Sequence, residues 1–331
     1  NVYDVPDQGY EIVPIDDDPY AGSLKPIKAF TVGYPVERVS NSQRYLSLLP
    51  MAHLRYDYSN KTVFRLAVTR TLRRPNFIES KPGSPVIDYS NLEFNQGNNG
   101  IKPSYSWNLD FMAERYMPNA GIFSAGIFAK RIDDHIYRTI TADIDPQTGI
   151  IYKSYQNAQR PINLVGVEVN GRKYLDFIWK KLQHFGVEAN CTYTHSQMQI
   201  PGRTFIQNLP MQPNFLFNGA VLYTDRKKGI NVRLAVNYTG GYLMEVNTSA
   251  IQNEAGEIGL IHDNTDFDVF MKDKWNLDLS ASYKALRFLK VYVECTNLLN
   301  TPLYIYRGQE FRPMQVEYYG LRINAGLKFD L

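Results

Sequence analysis

No stretch of this 331-residue chain runs to about twenty apolar residues without interruption, which excludes a helical membrane span. It has two cysteines, Cys191 and Cys295, too few for a disulfide framework or a metal quartet. Neither sign of charge dominates: 36 basic residues face 33 acidic ones, and no basic run is long enough to grip nucleic acid. The five histidines (His53, His135, His184, His195 and His262) are scattered, without HExxH or paired metal spacing. No G-x-S-x-G, P-loop or dinucleotide fingerprint occurs. These gaps leave no catalytic residue, metal ligand or cofactor site to expect, and Asp133-Asp134-His135 reads as a solvated strand-to-loop junction.

What the chain does have is alternation. Trp275, Leu277, Leu279, Ala281 and Tyr283 interleave with Asn276, Asp278, Ser280, Ser282 and Lys284. The same pattern runs from Tyr319 through Leu321, Ile323, Ala325 and Leu327 to Phe329. Side chains of a strand point to opposite faces with period two, so each run has one apolar and one polar face. A soluble sandwich can contain such a run, but here it recurs at about ten residues with aromatic ends, the length of a tilted bilayer-crossing strand. The 24 tyrosines suit interfacial girdles and a hydrogen-bonding lumen. Both cysteines fall on the apolar phase and read as small hydrophobes facing lipid. The pattern predicts an all-β fold, an antiparallel transmembrane β-barrel of the outer-membrane type.

Residues 1–44, rich in Asp, Pro and Tyr, read as an extracellular loop region with a short strand near 28–34. Strands are expected over 48–59, 62–72, 104–117, 121–133, 163–177, 185–195, 214–225, 230–239, 274–284, 289–298 and 316–331, about eleven. Tight turns such as Asn60-Lys61, Pro118-Asn119-Ala120 and Arg226-Lys227-Lys228-Gly229 follow the odd strands. Long segments, 73–103, 134–162, 196–213 and 240–273, follow the even ones. Short periplasmic turns and long extracellular loops are the rule for outer-membrane barrels. An odd strand count leaves edges that lipid cannot satisfy, so a partner sheet outside this sequence is expected.

Tyr45-Leu46-Ser47-Leu48-Leu49-Pro50, Leu54-Arg55-Tyr56 and Arg74-Pro75-Asn76-Phe77 resemble the mid-barrel signature of TonB-dependent outer-membrane receptors. Asn98-Asn99-Gly100-Ile101-Lys102-Pro103, then Ser106-Trp107-Asn108-Leu109-Asp110, are similar to the next strand entry of that family. Ser104 stands where a glutamate often follows the Lys-Pro. Asn157-Ala158, Gly166-Val167-Glu168, Leu209-Pro210-Met211-Gln212-Pro213 and the run from Asn297 to Tyr304 continue the likeness to the closing strand. The last residue is Leu331, where such barrels usually end in an aromatic. The resemblance implies a barrel of 22 strands, of which residues 45–331 are expected to be the C-terminal half. It also implies as partners the outer-membrane lipid, a plug domain, an N-terminal barrel half, and the TonB complex acting through that plug. It implies active uptake of a scarce small-molecule or oligomeric ligand (oligosaccharide, peptide or siderophore-like) across the bacterial outer membrane, with this chain forming barrel wall and ligand-capturing loops.

Three polar–aromatic clusters in the long loops are candidate ligand contacts: Tyr89, Asn91, Phe94 and Asn95; Tyr137, Tyr152 and Tyr155; and Tyr304, Tyr306 and Arg307. Arg65, Asp110, Glu114, Glu168, Arg172, Arg233, Glu294, Arg322 and Lys328 are expected to face the lumen, pairing with one another and with the plug. Arg73 and Arg74 are expected at the rim. Rival readings are an outer-membrane hydrolase with a rim site, a passive porin, and a soluble carbohydrate-binding protein whose apolar rows a second sheet would cover.

Overall fold

The computed structural model describes residues 44–81, 86–88, 93–119, 121–140, 151–200, 203–246, 249–252, 258–261 and 265–329. Contacts divide the chain into two units, Asn1–Val39 and Ser40–Leu331, and every described residue lies in the second. The loop expected over 1–44 and its strand near 28–34 therefore lie outside the described residues, Arg44 excepted. So do Tyr89, Asn91 and His262.

Eleven strands form one antiparallel path in chain order. They are β1 (Met51–Ser59), β2 (Thr62–Arg73), β3 (Ser104–Met117), β4 (Gly121–Asp133), β5 (Ile162–Tyr174) and β6 (Phe185–Gln199), followed by β7 (Phe215–Asp225), β8 (Ile230–Thr239), β9 (Lys274–Leu286), β10 (Leu289–Thr296) and β11 (Arg322–Phe329). The register puts like beside like. Leu66 faces Leu54 and Phe111 on its neighbours, Val187 faces Val221, and Leu279 sits between Leu234 and Cys295. A one-residue slip would send each apolar row to the other face, so the alternation itself fixes the pairing.

The apolar rows are not covered. Leu54 is 63% exposed, Ile127 60%, Val165 52% and Leu327 59%. A soluble protein of this size does not leave rows of that kind open, because burying them is its main source of stability. Here they form the outer wall of the barrel, and the reading of a second covering sheet is excluded among the described residues. Aromatic rings mark the ends of the band. Tyr238 pairs with Trp275 at a ring distance of 4.5 Å, and Tyr283 lies eight residues on from Trp275, about 26 Å along the strand at about 3.3 Å per residue.

Connections sort by side as expected. Positive φ at Asn119 (59°) and Gly229 (71°) lets the chain reverse tightly. The Asp225 carboxylate accepts the amides of Lys227 and Lys228, each at 3.0 Å, and so fixes the 226–229 turn. Between β5 and β6 the chain makes two short 3-10 turns, Leu175–Phe177 and Lys180–Leu182, instead of extending β5 to residue 177.

At the other end the long connections are more structured than their sequence suggests. Glu93–Asn95 pairs in parallel with Ile151–Asn157, which pairs in turn with Ile136–Ile140. Tyr242–Glu245, Val269–Met271, Leu303–Arg307 and Pro313–Glu317 form a second four-stranded sheet. The expected single strand over 316–331 is therefore corrected. Pro313–Glu317 belongs to that loop sheet, Tyr319 and Leu321 lie in a break, and only Arg322–Phe329 joins the barrel. The cause is local. Gly320 takes φ +74°, its N–H donates to Asn300 Oδ1 at 3.1 Å, and its carbonyl accepts Asn297 Nδ2 at 2.9 Å. These side chains take the bonds the ladder would have used.

Candidate functional site

Part of the stretch that carries the family resemblance, Asn76, Asn98, Lys102, Ser104 and Asn157, meets at the long-loop end. A single helical turn, Phe77–Ser80, is closed by reciprocal bonds of 2.8 Å between Asn76 and Glu79. The Glu79 carboxylate, 5% exposed, also binds the Arg73 guanidinium at the end of β2. Asn98 N–H donates to the Glu79 carbonyl at 2.8 Å, and its side chain donates to the Tyr155 carbonyl at 2.9 Å. A Cβ on Gly97 would stand 2.5 Å from the Lys81 carbonyl oxygen, so this crossing needs glycine. Asn157 binds both backbone groups of Lys102, at 2.8 and 2.9 Å, and the Asp134 carbonyl at 2.8 Å. Ser104, in place of the family glutamate, donates to that same carbonyl at 2.8 Å. The motif is thus a fastening of loops to strands. Arg73 serves it through Glu79, and among the described residues no side-chain bond ties Arg74 to it.

His135 belongs to this knot. Its carbonyl accepts Ala158 N–H at 2.7 Å, and burial holds its imidazole below the usual histidine value, aided by the Arg73 charge and opposed by Glu79. Those are the contacts of a structural residue.

Of the three candidate clusters, the described members of the first two fall into one loop sheet, where Phe94 is the backbone partner of Tyr152 and Tyr155 is that of Arg138. Burial raises the Tyr137 phenol above its ordinary value. In the third cluster, Tyr306 stacks on Phe270 at 5.5 Å and meets Tyr304 at 6.3 Å. Tyr304 donates to the Glu310 carbonyl at 2.6 Å, while the Lys272 ammonium sits 5.5 Å over the Tyr304 ring and 2.6 Å from the Glu310 carboxylate. Arg307 is exposed beside them.

Tyr306 opens onto a cleft of about 700 Å³ that the sequence did not reveal. Its walls come from the end of β6, the segment from Phe205 to Asn214, and the second loop sheet with Thr265 and Asp268 beside it. Aromatic faces (Phe205, Tyr242, Phe270) alternate there with amides (Gln197, Asn208, Gln212). One buried ion pair ties the wall together: Arg203 and Asp268, 1% and 2% exposed, share two bonds of 2.6 and 2.8 Å. With Asp268 engaged, the cleft offers neutral donors, acceptors and ring faces.

The polar face of the sheet behaves as a wet wall. Arg65 binds Glu114 at 3.0 Å, and Tyr116 donates to the same carboxylate at 2.8 Å. Glu168 accepts Asn170 and Asn190 at 3.0 and 3.2 Å. Glu188, which sequence reasoning missed, joins Arg172 (3.2 Å) to Arg233. Arg172, Arg233, Glu294 and Lys328 line a hollow of about 540 Å³ at the short-turn end, with Lys290 and Tyr292. Asp110 lies between Ala67 and Phe128 in register, and Arg322 opposite Thr296. Within the expected lumen set Arg65 and Glu114 pair with each other, whereas Arg172 and Arg233 pair with Glu188 instead.

Comparison with known proteins agrees with this architecture. The family model described as TonB dependent receptor-like, beta-barrel, matches residues 22–298. A mutant of the ferric enterobactin receptor PfeA from Pseudomonas aeruginosa superposes with a TM-score of 0.58 at 12% identity, over 85% of this chain and 40% of its own. The siderophore receptor PirA from Acinetobacter baumannii gives 0.57 at 14% identity, over 85% and 40%. The copper transporter OprC gives 0.58 at 14%, over 84% and 39%. The chain thus spans about 40% of the length of the solved receptors it matches. No curated protein sequence matches it.

Proposed function

Because this chain belongs to the TonB-dependent receptor family, we propose that it supplies half of the wall and much of the lid of an outer-membrane uptake receptor. The short-turn end then faces the periplasm, and the long-loop end faces outside. A plug domain, an N-terminal barrel half and the TonB complex are the partners of that reading, with lipid around the apolar rows. Arg65, Asp110, Glu114, Glu168, Arg172, Arg233, Glu294, Arg322 and Lys328 are the plug-facing set.

The observation that carries it is the pairing of uncovered apolar rows with a charged, hydrogen-bonded inner face on the same eleven strands. For the ligand, the loop cleft supports a neutral or zwitterionic class, an oligosaccharide or a peptide. Amides and rings suit such molecules, which lack the dense negative charge of an iron chelate. Tyr304, Tyr306 and Arg307, together with Tyr89, Asn91, Phe94, Asn95, Tyr137, Tyr152 and Tyr155, are the proposed contacts. The role is capture and passage without chemistry, since His135, the nearest thing to a rim catalyst, is packed into the knot.

The test is uptake by cells that express the full-length gene product, supplied with a panel of labelled oligosaccharides, peptides and ferric siderophores. Accumulation of one class that stops when the proton gradient is collapsed is the expected result. Accumulation that survives collapse would instead identify a passive pore.

A further inference from the structure

The β5–β6 connection departs from the tight turns beside it. Phe177, Ile178 and Trp179 point into solvent at 66, 64 and 56% exposure, immediately before the exposed Lys180 and Lys181. The next two turns along the same edge repeat the combination. Arg226, Lys227 and Lys228 are exposed in one, and Arg287 in the other, between Leu286 and Phe288, each 51% exposed. Backbone bonds join the three into a continuous rim: Thr224 N–H to the His184 carbonyl at 2.7 Å, and Lys284 N–H to the Gly229 carbonyl at 2.8 Å.

Two contacts show which side of the wall the aromatics occupy. Lys173 shares the apolar phase of β5 with Val165, Val167 and Val169, and its ammonium lies 5.9 Å over the Phe177 ring. His184 packs at 5.9 Å on Tyr223, which itself meets Phe185 at 5.0 Å within the outer row. Phe177 therefore continues the lipid-facing band beyond the end of the strands. Charge decides what meets it. Of six cations on these turns only Lys228 reaches a carboxylate among the described residues, Asp225 at 4.0 Å, and Lys181 lies 4.8 Å over the Trp179 ring. Exposed rings that continue a lipid-facing surface, beside lysines and arginines left to solvent, fit a bilayer interface that carries negative headgroups.

We propose that this rim, residues 175–184 with 226–229 and 285–288, binds anionic phospholipid of the periplasmic leaflet, its rings seated at the headgroup level and its cations on the phosphates. The proposal rests on the membrane-barrel reading above. The full-length product would be refolded into vesicles containing either brominated phosphatidylglycerol or brominated phosphatidylethanolamine at equal mole fraction. The Trp179 signal is the difference between the native chain and Trp179→Phe. Brominated phosphatidylglycerol is expected to quench that signal at least about fivefold more, the factor supplied by one cation near an anionic surface. The combined change Lys180→Gln, Lys181→Gln, Arg226→Gln and Lys227→Gln, all at exposed turn positions, is expected to abolish the preference. Equal quenching by both lipids, a preference that survives neutralisation, or no Trp179 quenching at all would each overturn the proposal while leaving the barrel intact. Failure to insert into either vesicle would bring down the membrane reading itself.

Discussion

Within the eleven-strand sheet, neighbours are joined by a ladder of backbone pairs whose register follows the two-residue period of the side chains. At the long-loop end the same chain is joined by side chains that reach backbone: Asn76 and Glu79 to each other's amides, Asn98 to Tyr155, Asn157 to Lys102 and Asp134, Asn297 to Gly320. The contrast follows from solvent. Between lipid and lumen every backbone group must find a partner inside the sheet, and a closed ladder is the one strand arrangement that provides it. Above the membrane water can satisfy a stray carbonyl, so the chain is free to wander, and specific Asn, Ser and Glu side chains are what hold it. The two regions should therefore fail differently when substituted.

The largest effect is expected where a loop buries charge. Arg203→Met leaves Asp268 deprived of its guanidinium partner, and breaking one half of a buried pair costs about 3–5 kcal/mol. The loss should appear as protease cleavage within 203–214 or 265–271, with the barrel still migrating as a folded species in unheated gels. Unfolding of the whole barrel would show that loops and sheet are one cooperative unit, and the contrast would fall.

Next comes the outer wall. Leu279→Arg, between Leu234 and Cys295, should cost about 2–4 kcal/mol if it lies near mid-bilayer, whereas Ser280→Arg on the next position should be tolerated. Urea titrations of folding into vesicles would measure both. Equal penalties would mean that the two faces meet the same solvent.

These two sites also mark what could be read in advance. Leu279 and Ser280 were assignable from period alone, because lipid and water impose opposite chemistry on adjacent residues and the pattern repeats in every strand. Arg203 and Asp268 are 65 positions apart in segments without periodicity, and nothing local marks them as partners. Glu188 was overlooked for a related reason. It lies on the polar phase of β6, and its value emerges only once Arg172 and Arg233 are seen on flanking strands. The motif residues at the rim were visible as a family likeness. Their mechanical role was not, since it depends on backbone groups that sequence does not show. The strand over 316–331 failed through Gly320: alternation continues across it in letters while its φ of +74° breaks the strand in space.

A smaller effect is expected within the knot. Glu79→Gln keeps the shape but loses the charge on which Arg73 and the Asn76 amide converge, at a cost of about 1–3 kcal/mol. Hydrogen exchange at residues 76–81 and 97–101 should rise, with no change in β2 beyond its last residues. His135 adds a pH dependence to the same knot. Its folded value lies below the ordinary one, so the unfolded chain binds the proton first. Stability from this group is complete above the ordinary histidine value of about 6.5 and is lost as pH falls from there through the folded value. Exchange in the knot should therefore accelerate on acidification, and His135→Asn should flatten that response. An unchanged profile would place the imidazole in water.

Arg65→Ala should do least of all. The pair with Glu114 has good geometry at 3.0 Å, yet the arginine side chain is 43% exposed on a wall bathed in water. Both partners can return to solvent when separated, so little is gained by holding them together. Urea midpoints for the native chain and the variant should agree within error. A clear loss would mean that the guanidinium is desolvated in the assembled protein, which would place a plug segment directly against β2 and β3. The weakest interaction of the inner wall thus becomes the sharpest sensor of what fills the lumen: identical midpoints in a full-length product whose plug is deleted, but a difference with the plug present, would locate the contact.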